Sequence, residues 1–204
     1  HATVDMAGDE PESWKSCLES MGIEVRCNTS GLGEKAEFRK IYLEHIDNEI
    51  ERGQRAVEGL EENGYFSLMD IEVKKRGFCH HDFANHNILI DKDQQINIID
   101  FDYCILDTHI HDLASLLIRA MKDGKWSDKT GDLIINSYQE TLEVTDEELK
   151  IMKYFIMFPQ SFWQIGLQYY WEQQPWNEEV FINKIIRYLE DVEYREVFLD
   201  EYFK

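Results

Sequence analysis

His80, Asp82, Asn87 and Asp100 stand at fixed spacing in a stretch that is otherwise strongly apolar. Carboxylates and an amide carry oxygens that can take a proton or hold a hard cation. What matters is whether the chain gathers them. Two short β-type runs, Ile88–Ile90 and Ile96–Ile99, flank Lys92-Asp93-Gln94-Gln95. Such a pair reads as a hairpin with a four-residue loop. With the turn centred between Asp93 and Gln94, antiparallel pairing sets Ile88 opposite Ile99, Leu89 opposite Ile98 and Asn87 opposite Asp100. The open end of the hairpin then holds an amide beside a carboxylate, and Asp82 arrives there from the preceding loop. An oxygen-rich pocket of this kind suits Mg²⁺, which keeps several waters and takes few protein ligands.

The same spacing matches a phosphoryl-transfer layout: His-x-Asp, then Asn five residues after the Asp, then an Asp at a strand end. With Asp112-Leu113-Ala114 further on, the sequence resembles the aminoglycoside-phosphotransferase-like kinase superfamily. Within it, His80-His81-Asp82-Phe83-Ala84 and Ile99-Asp100-Phe101-Asp102-Tyr103 look like the motifs of the CotS-type spore coat proteins. The aminoglycoside kinases usually carry Gly where His81 stands, which weakens the antibiotic-phosphorylating sub-reading. The resemblance implies roles. Asp82 would accept the proton of a substrate hydroxyl, and His80 would fix the loop. Asn87 and Asp100 would hold Mg²⁺ and, through it, ATP. Asp102 is a weaker metal or substrate contact, and Asp112 would brace the catalytic loop.

Composition bounds the partners. The 204 residues carry 41 acidic and 21 basic side chains, a formal charge of −20. That argues against nucleic acid, whose binding requires Lys and Arg to neutralise phosphates, and against an anionic membrane surface. No run of 18 apolar residues exists, and no basic stretch followed by an apolar core marks a signal peptide. Cys17, Cys27, Cys79 and Cys104 form no Cys-x-x-Cys pair, so reduced thiols in a cytoplasmic protein are expected. Cys79 and Cys104 read as core residues. His80, His81, His86, His109 and His111 raise a zinc site or a metal-dependent hydrolase as a rival reading, although no His-x-x-x-His pair on a helix supports it.

The remaining chain must position the motif, and it reads as helices. Trp14, Cys17, Leu18 and Met21 fall at helical spacing, and Cys27–Gly33 reads as a loop. Gly31-Leu32-Gly33-Glu34-Lys35 lacks the spacing of a phosphate loop, and Asn28-Thr29-Ser30 has glycosylation lettering without a secretory signal. Glu34 to Asn63 is a long helical stretch with Phe38, Tyr42, Ile46 and Leu60 on one side, Glu and Arg on a solvated face, and Gly53 as a candidate kink. Phe66–Val73 is a shorter helix, leading to the basic turn Lys74-Lys75-Arg76. His111–Met121, Ser127–Thr141 and a helix opened by the Thr145/Glu148 capping box follow. Phe162 to Trp171 is aromatic-rich, and its frequent meaning is core packing. Phe181–Leu189 forms the next apolar face and Asp191–Lys204 a final amphipathic helix.

The expected fold class is therefore α+β, mainly α: a protein kinase-like C-terminal lobe with a catalytic-loop β-hairpin packed among helices. Residues 1–77 would be the helical segment after the hinge, 78–117 the catalytic loop, hairpin and following helix start, and 118–204 a C-terminal helical subdomain. The nucleotide lobe that the resemblance implies, a small sheet with a glycine-rich loop, a strand Lys and a helix Glu, is not found before His80. The parent would transfer phosphate from ATP to a small-molecule hydroxyl, and this chain alone should bind ATP poorly and turn over little. The alternative is a structural spore coat component, with coat proteins as partners and the spore coat as location.

Overall fold

The computed structural model of the chain describes residues 15–19, which are helical, and 37–204. Trp14, Met21, the expected loop over 27–33 and the glycines within it lie outside the described residues. Seven further α-helices, one hairpin and two 3₁₀ turns (Asn85–Asn87 and Phe101–Tyr103) follow: α1 (Glu37–Glu62), α2 (Tyr65–Lys75), β1 (Ile88–Ile90), β2 (Ile96–Ile98), α3 (Ile110–Met121), α4 (Asp128–Gln139), α5 (Asp146–Met157), α6 (Gln160–Tyr170) and α7 (Glu178–Tyr202). No helix among the described residues is long and apolar enough to cross a membrane.

Helix α1 forms because Phe38, Tyr42, Ile46, Val57 and Leu60 recur on one face, and all are buried. Its first turn is tied to α7, where Glu178 Oε1 accepts from Phe38 N at 3.1 Å. Its last turn closes on Asn63 Nδ2 donating to Gly59 O at 2.7 Å, followed by Gly64 in the left-handed region. Gly53 does not split the helix. A Cβ there would meet Leu18 Cδ2 at 2.4 Å, so the glycine makes room for the segment 15–19.

The core lies where α1 meets α5 and α7, with α3 laid on α5 and α6 on α7. The Tyr42 ring stacks on Phe162 with centroids 4.2 Å apart, and Phe38 packs against Tyr169 at 4.4 Å and Phe181 at 5.6 Å. The aromatic run of α6 is thus part of this core, and burying each such ring contributes about 1.5–3 kcal/mol. Gly166 is what lets α6 approach so closely, since a Cβ there would lie 2.2 Å from Tyr42 Oη.

Two sequence readings need correction. Glu49 and Arg52 do not lie on a solvated face. They are buried, paired with each other, and Arg52 Nη2 reaches Glu196 Oε1 at 2.9 Å. Tyr188 donates to Glu49, and Arg195 Nη2 donates to Tyr188 Oη at 3.1 Å. Burial pushes the Tyr188 phenol up, which keeps its proton for Glu49. The two C-terminal faces are also one helix, because no Gly or Pro separates Leu189 from Asp191. Asp191 on α7 pins the turn after α3: its Oδ1 accepts from Gly124 N and from Trp126 Nε1, each at 2.8 Å.

The hairpin register is one residue off the expected one. Ile88 faces Ile98, Leu89 faces Asn97 and Ile90 faces Ile96. The cause is the turn. Gln94 adopts φ 59°, Gln94 N donates to Asp91 O at 3.1 Å, and Asp91 N donates to Gln95 O at 3.0 Å. This is a tight turn closed by a left-handed bulge, which moves the pairing by one position. The Asp91 side chain holds it, with Oδ1 accepting from Asp93 N and Gln95 N, each at 2.9 Å. The strands are not covered by helices: Ile90 is 65% exposed and Ile96 69%.

Candidate functional site

The loop between α2 and β1 is held at its root by α3. Asp112, in the first turn of α3, accepts from two successive backbone amides, His80 N at 2.5 Å and His81 N at 2.9 Å. A carboxylate taking two N–H groups is a charge-assisted clamp. It holds His81 at φ 65°, a conformation that side-chain-bearing residues seldom adopt. A short bridge between Cys79 and Ile105 joins the same root to the segment after the hairpin.

The His80 side chain turns toward the hairpin. It is 4% exposed, and Nε2 lies 2.9 Å from Ile99 O. A carbonyl only accepts, so Nε2 carries the proton. Ile99 N in turn donates to Asn87 O at 3.0 Å. One chain of hydrogen bonds thus links α3, the loop and the end of β2, and Asp100 is the next residue.

Asp82 and Asn87 are brought together. Asn87 is buried and its Nδ2 donates to Asp82 O at 2.9 Å and Asp82 Oδ2 at 3.2 Å. Because the Asp82 carbonyl cannot donate, the amide orientation is fixed and Oδ1 of Asn87 is the atom left for another partner. Asp100 sits at φ 65° and opens a 3₁₀ turn over Phe101–Tyr103 that contains Asp102. Both carboxylates are exposed, and neither has a hydrogen-bond or ion-pair partner among the described residues. Asn87 Oδ1, Asp100 and Asp102 offer oxygen donors only, the type that a hard divalent cation takes and a soft one does not.

A residue that motif reading did not single out completes the surroundings. Arg119 Nη2 pairs with Asp82 Oδ1 at 2.7 Å, while its Nε donates to Ser115 Oγ at 3.3 Å. The one signal in the sequence was periodicity: Arg119 lies two helical turns after Asp112, on the same side of α3. Beyond it a cleft of about 230 Å³ opens between the loop, α3, α5, α6 and α7.

The histidines are divided. His109 Nε2 meets Glu148 Oε1 at 3.1 Å and Nδ1 meets Tyr138 Oη at 3.0 Å, away from the loop. His86 is exposed, 3.8 Å from Asp82 Oδ2. His81 and His111 rings lie 4.6 Å apart. Cys79, His111 and Asp112 bring ligand-type atoms within 4.8 Å of one another, but both Asp112 oxygens already serve the loop amides. Cys79 is buried as expected, whereas Cys104 is half-buried. Burial, with Asp112 nearby, holds the Cys104 thiol above its ordinary pKa.

The comparisons with known proteins bear on the family and the fold of most of the chain. The model of the phosphotransferase enzyme family (APH) matches residues 32–150. Spore coat protein S of Bacillus subtilis strain 168 is 24% identical over 166 residues, covering 80% of this chain and 47% of that protein. The aminoglycoside phosphotransferase of Alicyclobacillus acidocaldarius superposes with a TM-score of 0.77 at 18% identity, over 98% of this chain and 58% of that one. The likeness establishes the kinase-like fold, and the chain spans about half the length of these relatives. A second family model, cobalt chelatase (CbiK), matches residues 1–51. Over 46 residues the chain is 48% identical to the sirohydrochlorin cobaltochelatase CbiKC of Nitratidesulfovibrio vulgaris Hildenborough, 22% of this chain and 16% of that protein. The motif reading found nothing of this kind. The chelatase match lies mainly outside the described residues and overlaps the phosphotransferase match over residues 32–51.

Proposed function

The chain belongs to the phosphotransferase enzyme family, and on that premise we propose that it supplies the catalytic-loop lobe of an enzyme moving the γ-phosphoryl group of ATP to a small-molecule hydroxyl. The observation that carries the proposal is the Asp82–Asn87 pairing at the mouth of the hairpin, on a loop clamped by Asp112. Asp82 accepts the hydroxyl proton. Each carboxylate oxygen has two lone pairs, so the contacts from Arg119 and Asn87 orient Asp82 and still leave it acceptor capacity. His80 ties the loop to Ile99 and so positions Asp100. Asn87 Oδ1 and Asp100, with Asp102 as a weaker contact, would hold Mg²⁺. When bound, that ion neutralises charge on the phosphates.

The hairpin supports a nucleotide face. Ile90, Ile96, Phe101 and Tyr103 are all exposed, forming an apolar surface of the kind that meets a ring or another domain. No second sheet that could sandwich a nucleotide occurs among the described residues. We expect these 204 residues alone to bind Mg-ATP only weakly, and micromolar affinity by titration calorimetry would contradict that.

The direct test is ADP release with Mg²⁺ by the full natural protein. Asp100→Asn should lower it about 10²–10³-fold, as losing one transition-state electrostatic contact does; an unchanged rate would overturn the assignment. A second reading is favoured by the likeness to spore coat protein S: a coat component in which the ion pair on Asp82 leaves catalysis weak. Its setting would be the spore coat, with coat proteins as partners and no role for nucleic acid or membrane. Coat assembly that survives Asp82→Asn, without measurable phosphate transfer by the wild type, would favour it.

A further inference from the structure

The cleft beside the catalytic loop has a charge opposite to that of the chain. The sequence is strongly acidic, yet Arg119, Lys122 and Arg195 line this cleft and no Asp or Glu does. Arg195 is the telling residue. It is 5% exposed, its Nε has no hydrogen-bond partner, and its Nη2 donates only to the Tyr188 phenol. It forms no ion pair among the described residues, and neither does Lys122. A buried guanidinium without a carboxylate is costly unless something anionic completes it. The buried guanidinium of Arg52, on α1 and facing α7, shows the ordinary solution, with Glu49 and Glu196 beside it. Neutral donors and acceptors from α6, Ser161, Gln160 and Gln164, face the same space. Arg119 closes the cleft toward Asp82.

Resting on the phosphotransferase reading, we infer that this cleft is the acceptor site and takes a small anionic hydroxyl compound, bearing a phosphate or a carboxylate. Arg195 and Lys122 hold its anionic group, and its hydroxyl faces Asp82. The acceptor oxygen forms the new bond to the γ-phosphorus, and the bond from that phosphorus to the β,γ-bridging oxygen breaks. ADP leaves, and the hydroxyl proton goes to Asp82. A polycationic acceptor would instead meet three positive side chains.

The test is titration calorimetry on the full natural protein with glycerol 3-phosphate and D-glycerate, against glycerol and choline as neutral and cationic compounds of similar size. At least one of the two anions should bind saturably. Raising salt from about 0.05 to 0.5 M should weaken that binding, because partly exposed charge pairs are screened. Lys122→Glu and Arg195→Gln should each weaken it at least about tenfold, the change expected for losing roughly 1.4 kcal/mol. Lys122 is exposed, so its variant keeps the fold if Arg195→Gln does not. Failure of both anions to bind, binding indifferent to Lys122→Glu and Arg195→Gln alike, or tighter binding of choline would overturn the inference. The two readings fail separately. An anion that binds but is never phosphorylated sinks the enzyme and leaves the cleft. Phosphate transfer to choline does the reverse.

Discussion

The helical body and the hairpin use the same kinds of side chain in opposite ways. In the body, Phe38, Tyr42, Phe162 and Phe181 turn inward and pack ring against ring. In the hairpin and the turn after it, Ile90, Ile96, Phe101 and Tyr103 face outward. Equal hydrophobicity therefore marks two different tasks. The body holds the lobe together. The hairpin is kept in place by hydrogen bonds through His80, Asn87 and Asp91 and leaves its apolar surface exposed. The buried packing and the candidate site are thus spatially separated here, with the Asp112 clamp as the join.

Substitutions can break or sharpen this contrast. The largest effect belongs to the body: Phe162→Ala removes a fully buried ring stacked on Tyr42 and should cost about 3–5 kcal/mol in urea unfolding. A loss below about 1 kcal/mol would mean that the body is not where stability resides. Next comes Thr145→Ala, which undoes the capping box of α5, at about 1 kcal/mol by the same measurement. Smaller still is Ile96→Ser on the hairpin. It should change unfolding free energy by no more than about 0.5 kcal/mol, since the side chain is exposed. A loss comparable to Phe162→Ala would erase the distinction between the regions. The smallest effect is chemical. With its pKa raised by burial, Cys104 has less thiolate at any given pH than an ordinary cysteine, so its alkylation at pH 8, followed by peptide mapping, should be slower than that of a free thiol. Faster alkylation would show a site more open than the one described.

Much of this was legible beforehand because it is local. The capping box at Thr145, the stripe from Phe38 to Leu60 and the strand–turn–strand pattern around Asp93 all depend on residues a few positions apart. What escaped depends on distance or on a rare backbone state. The register hinged on Gln94 adopting a left-handed conformation, where no glycine or asparagine advertises the turn. The burial of Glu49 and Arg52 required Tyr188, Arg195 and Glu196 from the far end of the chain. Arg119 reaches Asp82 across a gap of 37 positions, and the cations of the cleft come from α3 and its end and from α7. Periodicity assigns such residues to a face but does not say what that face meets.

The Asp191 carboxylate fastens the turn after α3, next to Lys122, to the helix that carries Arg195. The backbone that carries Lys122 is thereby fixed to the helix that carries Arg195 before any guest arrives. A guest then has little to order in its host beyond the Lys122 side chain, and capture should proceed at a rate governed by diffusion and long-range attraction, without waiting for a closing movement.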